Sequence, residues 1–172
     1  MKILSKQKNS RMCMICGLDN EYGVNAPFYN MEDGSVMTVF RYKEQHQSYP
    51  GRVHGGMITA MLDGMGLRSL WAKELSEETF GVTISLDTKY RKPVPYETEL
   101  IGRGVVVKNT SHFIITDSYI MDKDGEILAN GRIKYIKMDT QKIQEGVEVH
   151  EEMPYLVEDG RTEIEGPFFD NL

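Results

Sequence analysis

Residues 53–67 read VHGGMITAMLDGMGL, apolar around nearly the whole circumference of a helix and with small residues interspersed. A helix of that composition is enclosed by protein rather than laid on a surface. His54, Gly55 and Gly56 stand at its start. Leu70 and Trp71 continue the apolar surface until Lys73, Glu74 and the polar SEET stretch end it, after roughly five turns at ~3.6 residues per turn. This is the central helix. Beyond it the chain alternates as strands do, over residues 80–90, 97–108, 112–121 and 126–138, with KPVP, KNTS and DKDG between them. Ahead of it, residues 24–29 and 35–42 have strand-like composition on either side of the turn signal Glu32-Asp33-Gly34, which predicts a hairpin. Residues 43–52, KEQHQSYPGR, form a polar loop. The predicted order is ββαββββ, an α+β arrangement.

With 172 residues, 40% hydrophobic and 27% charged, the chain suits one domain with a normal core plus an appended segment. Residues 1–20 are expected as a lead-in that packs onto a domain of residues 21–139. Residues 140–172 hold nine acidic and two basic side chains, so a net charge of −7 resides there and +1 in the rest, out of −6 overall. Such a block reads as a solvated acidic extension. A net negative chain lacks the electrostatic pull toward polyanions, so no nucleic-acid partner is expected. No apolar run approaches the ~20 residues of a membrane span, and the start MKILSKQKNSRM lacks the apolar stretch of a secretory signal. Two cysteines make no disulfide framework, and 11 methionines suit a reducing compartment. The expectation is a cytoplasmic protein without a membrane partner.

Asp63 is the one acidic or basic side chain between Arg52 and Arg68, in the middle of the helix expected to be most enclosed. A buried carboxylate persists when it is paired, hydrogen-bonded or turned toward a cavity, so Asp63 is either a structural anchor or a site residue. His54-Gly55-Gly56 exposes backbone N–H groups at the positive end of the helix dipole, where a carbonyl oxygen or oxyanion binds; the glycines also simply allow a tight turn. From Gly55 to Asp63 is eight residues, ~12 Å along the axis, too far for one chain to bring both to one carbonyl. If both act on one substrate, two copies of the helix run antiparallel, and a two-fold dimer carries two such sites.

An HGG followed by an apolar stretch and an acid nine positions after the His, on the one helix of a ββαββββ chain, resembles the hotdog-fold acyl-CoA thioesterases, in particular the phenylacetic-acid-degradation branch. The resemblance covers roughly residues 13–138, including CMICGLDNEYGV, YPGRVHGGMITAMLDGMG, GVTISLDTKYRKPV and ANGRIKYIKM. It implies a hotdog fold, an antiparallel sheet wrapped around one long central helix. It also implies that the Gly55 N–H binds the thioester oxygen, with Gly56 beside it, and that Asp63 of the partner chain acts as general base or nucleophile. Thr83 falls where relatives often carry a hydroxyl that positions the water, and His54 looks like a buried orienting residue. Relatives often have an Asn a few residues before HGG; here Gln47 and Ser48 occupy that stretch. Lys89, Arg91 and Lys92 are candidates for the phosphates of coenzyme A, which enters as part of the substrate and not as a cofactor. No G-x-S-x-G elbow suggests a serine hydrolase instead. The implied assembly is a homodimer or, as a dimer of dimers, a homotetramer. The alternative is a hotdog domain that binds or senses acyl-CoA without turning it over.

Met57, Met61 and Met65 either line an apolar tunnel or belong to the core. Cys13 and Cys16 form a C-x-x-C that reads as a packed turn. Two thiols fall short of zinc's usual four ligands, and a redox role would ask for a thioredoxin-like βαβ pattern that the sequence does not show. No metal is expected.

Overall fold

The apolar stretch folds as helix α1, Gly55–Glu74, in a computed structural model that describes residues 1–74, 79–138 and 151–166. The His54 carbonyl starts the helix by accepting the N–H groups of Met57 at 2.9 Å and Ile58 at 3.2 Å. Lys73 in the last turn complements the negative end of the dipole.

Strands β1 (Ile3–Lys6), β2 (Tyr29–Met31), β3 (Val36–Phe40), β6 (Phe80–Tyr90), β7 (Leu100–Asn109), β8 (Phe113–Met121) and β9 (Ile127–Met138) form one antiparallel sheet in the order β1-β2-β3-β7-β8-β9-β6. β4 (Gln47–Tyr49) and β5 (Arg52–Val53) make a small ribbon just ahead of the helix, after a 3-10 turn at Glu44–His46. The sheet curls around α1, which touches β2, β3, β6, β7, β8 and β9. Among the described residues this is the single α-helix and wrapped antiparallel sheet of the hotdog fold.

Helix and sheet approach so closely that side chains are excluded where they meet. A Cβ on Gly66 would lie 2.6 Å from Thr116 Oγ1 and closer still to the Tyr135 hydroxyl, and one on Gly104 would lie 2.8 Å from the Met65 carbonyl oxygen. Met61, Leu62, Met65 and Leu70 are fully buried against that surface, so Met61 and Met65 belong to the core. Each such burial contributes ~1.5–3 kcal/mol. Enclosure of the helix is one-sided, however: Thr59, Ala60, Asp63, Gly64 and Leu67 form a half-exposed strip.

The strand expectation for residues 80–90 coincides with β6. The next strand starts at Leu100 instead of residue 97, because Glu97 sits in the left-handed region (φ 55°) and donates its N–H to the Tyr42 carbonyl. The hairpin forms, but its first strand begins only at Tyr29: the N–H groups of Val24 and Ala26 go to the carbonyls of Met14 and Ile15, so this stretch pairs with the lead-in. The lead-in itself adds edge strand β1.

The described part of the acidic segment is not a solvated extension. Ile3 donates its N–H to Thr162 at 2.9 Å, Ile164 to Met1 at 2.9 Å and Arg11 to Glu152 at 3.0 Å, so residues 152–164 run antiparallel along the N-terminal stretch. Met153 and Ile164 are buried, and Lys6 pairs with Asp159 at 2.6 Å. Among the described residues, no helix is long and apolar enough to cross a membrane.

Candidate active site

The loop leading into α1 is organised by two histidines. His54 is exposed, contrary to the buried orienting role expected of it; its Nδ1 accepts the Gly56 N–H at 2.9 Å, so the imidazole caps the first turn from outside. A Cβ on Gly56 would lie 3.0 Å from that nitrogen, which explains the second glycine. The buried orienting residue is His46, whose Nδ1 accepts the Lys43 N–H at 3.0 Å, whose Nε2 donates to the Tyr22 carbonyl at 2.6 Å and whose own carbonyl accepts the His54 N–H at 2.8 Å. With Met57 and Ile58 on the His54 carbonyl and Gly56 on its ring, the Gly55 N–H is left without an acceptor among the described residues, at the positive end of a 20-residue helix.

Gly55 opens into a cleft of about 380 Å³ shared with Ser48, Tyr90, Arg91 and Lys92. Tyr90, which no motif singled out, donates its hydroxyl to the Gly55 carbonyl at 3.2 Å and meets Thr59 Oγ1 at 2.6 Å. Arg91 is held by Asn130 Oδ1 at 2.7 Å, and Lys92 pairs with Glu126. Thus two of the three expected cations flank the helix start, while Lys89 is exposed and does not line that cleft. Ser48 joins Gly55; Gln47 instead lines a separate cleft with His54 and His46.

Asp63 lies in a different place, on the half-exposed strip of α1, in a cavity of about 570 Å³. Thr83 donates its hydroxyl to Asp63 Oδ1 at 2.8 Å. The pairing of β6 with β9 shifts between Thr83 and Ser85, a bulge of the kind that re-aims a side chain next to a site. One carboxylate oxygen is thus fixed by Thr83, and Asp63 lines the cavity. Tyr135 donates its hydroxyl to the Asp63 backbone carbonyl at 2.6 Å. Burial first, and then the Asp63 charge, push that hydroxyl well above its ordinary range, so it stays a donor. Trp71, Phe80 and Met153 make the apolar end of the cavity, the last coming from the acidic segment. Cys13, Cys16 and Arg68 complete the wall.

The structure therefore joins Thr83 to Asp63 and Gly55 to Ser48, Arg91 and Lys92, but it does not join the two groups. Their cavities share no residue. One chain holds two separate features: an N–H without an acceptor among the described residues at the helix start and an oriented carboxylate eight residues on. Among the described residues no cluster of three or more His, Cys, Asp or Glu could hold a metal ion.

The family model described as Thioesterase superfamily matches residues 50–129, from the ribbon ahead of α1 into β9. Acyl-coenzyme A thioesterase THEM4 of Rattus norvegicus is 27% identical over 143 residues, 81% of this chain and 57% of that protein, so the chain spans little more than half the length of this relative. The crystal structure of a thioesterase superfamily protein superposes with a TM-score of 0.65 at 26% identity, covering 73% of this chain and 63% of that one. A hypothetical thioesterase from Streptococcus pneumoniae, solved with coenzyme A, gives a TM-score of 0.59 at 19% identity over 67% of this chain and 90% of its own. Sequence match and architecture agree: the chain carries a hotdog fold, and residues 50–129 of it resemble the thioesterase superfamily.

Proposed function

We propose that the protein is an acyl-CoA thioesterase, hydrolysing the thioester to a carboxylic acid and free coenzyme A in sites shared across a homodimer. The observation that carries this reading is the Thr83–Asp63 pair, an oriented carboxylate facing a 570 Å³ cavity. The free Gly55 N–H of the facing chain supplies the oxyanion donor. A thioester has a good leaving group, so one carboxylate and one preorganised donor suffice: Asp63 takes the proton of a water that attacks the carbonyl, or attacks it directly, while the Gly55 N–H stabilises the charge developing on oxygen.

Support for the dimer comes from β6. Among the described residues it is the last strand of the sheet and pairs with β9 alone, and it presents Val82 and Ile84 at 41% and 52% exposure along an open edge. An apolar open edge invites pairing with another strand, and here it borders the half-exposed strip that carries Asp63. Arg91 and Lys92 beside Gly55 suit the phosphates of coenzyme A, consistent with the coenzyme A held by the Streptococcus pneumoniae protein of like fold.

The test is thiol release over short, medium, long and aromatic acyl-CoAs, with Asp63→Asn and Thr83→Val run alongside. Loss of a general base lowers kcat by ~10²–10⁴, and Asp63→Asn should fall in that range with Thr83→Val less affected. Full turnover by folded Asp63→Asn would refute the assignment. Binding of acyl-CoA without release by the wild type would replace hydrolysis with the acyl-CoA-binding reading.

A further inference from the structure

Arg68 is 5% exposed, and a guanidinium is always charged. Among the described residues no carboxylate lies within ion-pair distance of it. Its N–H groups go to Gln7 Oε1 at 3.0 Å, to the Lys8 carbonyl at 3.1 Å and to Cys16 Sγ at 3.1 Å, while its plane lies over Phe28 and Trp71. A buried cation without a counter-charge is strongly disfavoured, and the sulfur of Cys16 is the group at hand that can carry a negative charge.

The loop is shaped to use it. The Gly17 N–H closes a turn on the Cys13 carbonyl at 2.8 Å, and a Cβ on Gly17 would run into the Cys13 backbone, so the glycine lets Cys13 fold back over Cys16. The neighbouring Cys13 first, then the Arg68 charge and the Ser10 hydroxyl 3.3 Å away, hold the Cys16 thiol far below its usual range against the opposing effect of burial. Cys13 keeps its proton and is exposed, Cys16 is buried, and both line the cavity that contains Asp63. The role that a helix start plays in thioredoxin-like pairs is taken here by a buried arginine, which the C-x-x-C spacing alone did not reveal.

We propose that Cys13 and Cys16 form an oxidisable dithiol site, in which hydrogen peroxide entering the Asp63 cavity oxidises Cys16 and Cys13 converts the product to an intramolecular disulfide. The Cys16 thiolate attacks one peroxide oxygen, the O–O bond breaks, and hydroxide leaves, giving Cys16 sulfenic acid. The Cys13 sulfur then attacks Cys16 Sγ, the S–O bond breaks, and the Cys13 proton leaves with the hydroxyl as water. Overall two thiols and one peroxide give one disulfide and two waters. Peroxide is small enough to reach a sulfur that is 3% exposed, whereas a bulky disulfide oxidant meets only Cys13. Disulfide formation removes the counter-charge of Arg68.

The experiment uses the full chain at neutral pH. Peroxide is titrated in, remaining thiols are alkylated, and peptides are identified by mass spectrometry, with oxidised glutathione as a parallel arm and Cys13→Ser as the second protein. The expected results are loss of both thiols with a Cys13–Cys16 link within one chain, much slower loss with oxidised glutathione, and a dimedone adduct on Cys16 in Cys13→Ser. Wild-type protein that keeps both thiols under peroxide, that links only between chains, or that is oxidised first at Cys13 overturns the proposal. None of these readouts depends on thioester hydrolysis.

Discussion

Gly66→Ala pits helix propensity against the closeness of α1 and the sheet. Propensity favours alanine within a helix by ~1 kcal/mol. At Gly66 the new methyl would lie 2.6 Å from Thr116 Oγ1, when ordinary contact begins at 3.4 Å, and it would meet the Tyr135 hydroxyl sooner. Thr116 is fully buried and Tyr135 nearly so, so neither yields cheaply. Overpacking of this kind costs ~1–3 kcal/mol, and pushing Tyr135 off the Asp63 carbonyl removes a further ~0.5–1.5 kcal/mol. The net expectation is a loss of about 1–3 kcal/mol, a fall in Tm of about 3–10 °C for a chain of this size. Gly64 is the internal control: a Cβ there finds its nearest neighbour, Ile15 Cγ2, at 3.5 Å, so Gly64→Ala should raise Tm by about 2–4 °C from propensity alone. Thermal unfolding by circular dichroism of both variants, and of Gly66→Ala combined with Tyr135→Phe, tests the reasoning. The double variant should recover part of the loss, a coupling of at least ~0.5 kcal/mol. A rise in Tm for Gly66→Ala, or no recovery in the double variant, would refute the close-contact argument.

Burial opposes the charge on Asp159, but Lys6, the Tyr29 hydroxyl and the Arg161 N–H outweigh it and bring the carboxyl down to about 2. With an unfolded value of ~3.9, its contribution is fully present above about pH 4 and is lost as pH falls toward about 2. Asp159→Asn should therefore loosen residues 152–164 at neutral pH and hasten trypsin cleavage after Arg161; unchanged cleavage kinetics would exclude Asp159 as the anchor. His46→Ala should cost ~1–3 kcal/mol by stranding buried polar groups, whereas His54→Ala loses only a surface cap worth ~0.5–1 kcal/mol; urea unfolding with the reverse ranking would contradict the roles assigned to the two rings.

The helix and the four strands after it were legible because each carries a side-chain period that its surroundings enforce. β1 and the strap of residues 152–164 were not, because main-chain bonds between chain ends leave no periodic trace. Nine acids in the last 33 residues suggested solvation, yet Lys6 compensates Asp159, and Met153 and Ile164, apolar residues isolated in a polar stretch, fasten the segment. Within the candidate site, Asp63 stood out as a charge in an apolar helix, and its distance along the helix already separated it from Gly55. Tyr135 and Arg68 did not stand out, because what matters about them is a contact across the fold. His54 was overvalued by its motif, while His46, in the polar stretch KEQHQS, gave no sign that it is buried against Tyr42.

The strap also decides how copies of this chain can add to one another. An open sheet has two edges, and a chain with both available can add neighbours without end. At the start of β1 the Ile3 N–H is taken by the Thr162 carbonyl, and the Met1 carbonyl just ahead of it by the Ile164 N–H. Among the described residues β6 keeps its edge open while the strap covers the start of the opposite one, so the two ends of the sheet are unequal and the β6 end is the one left for a further strand.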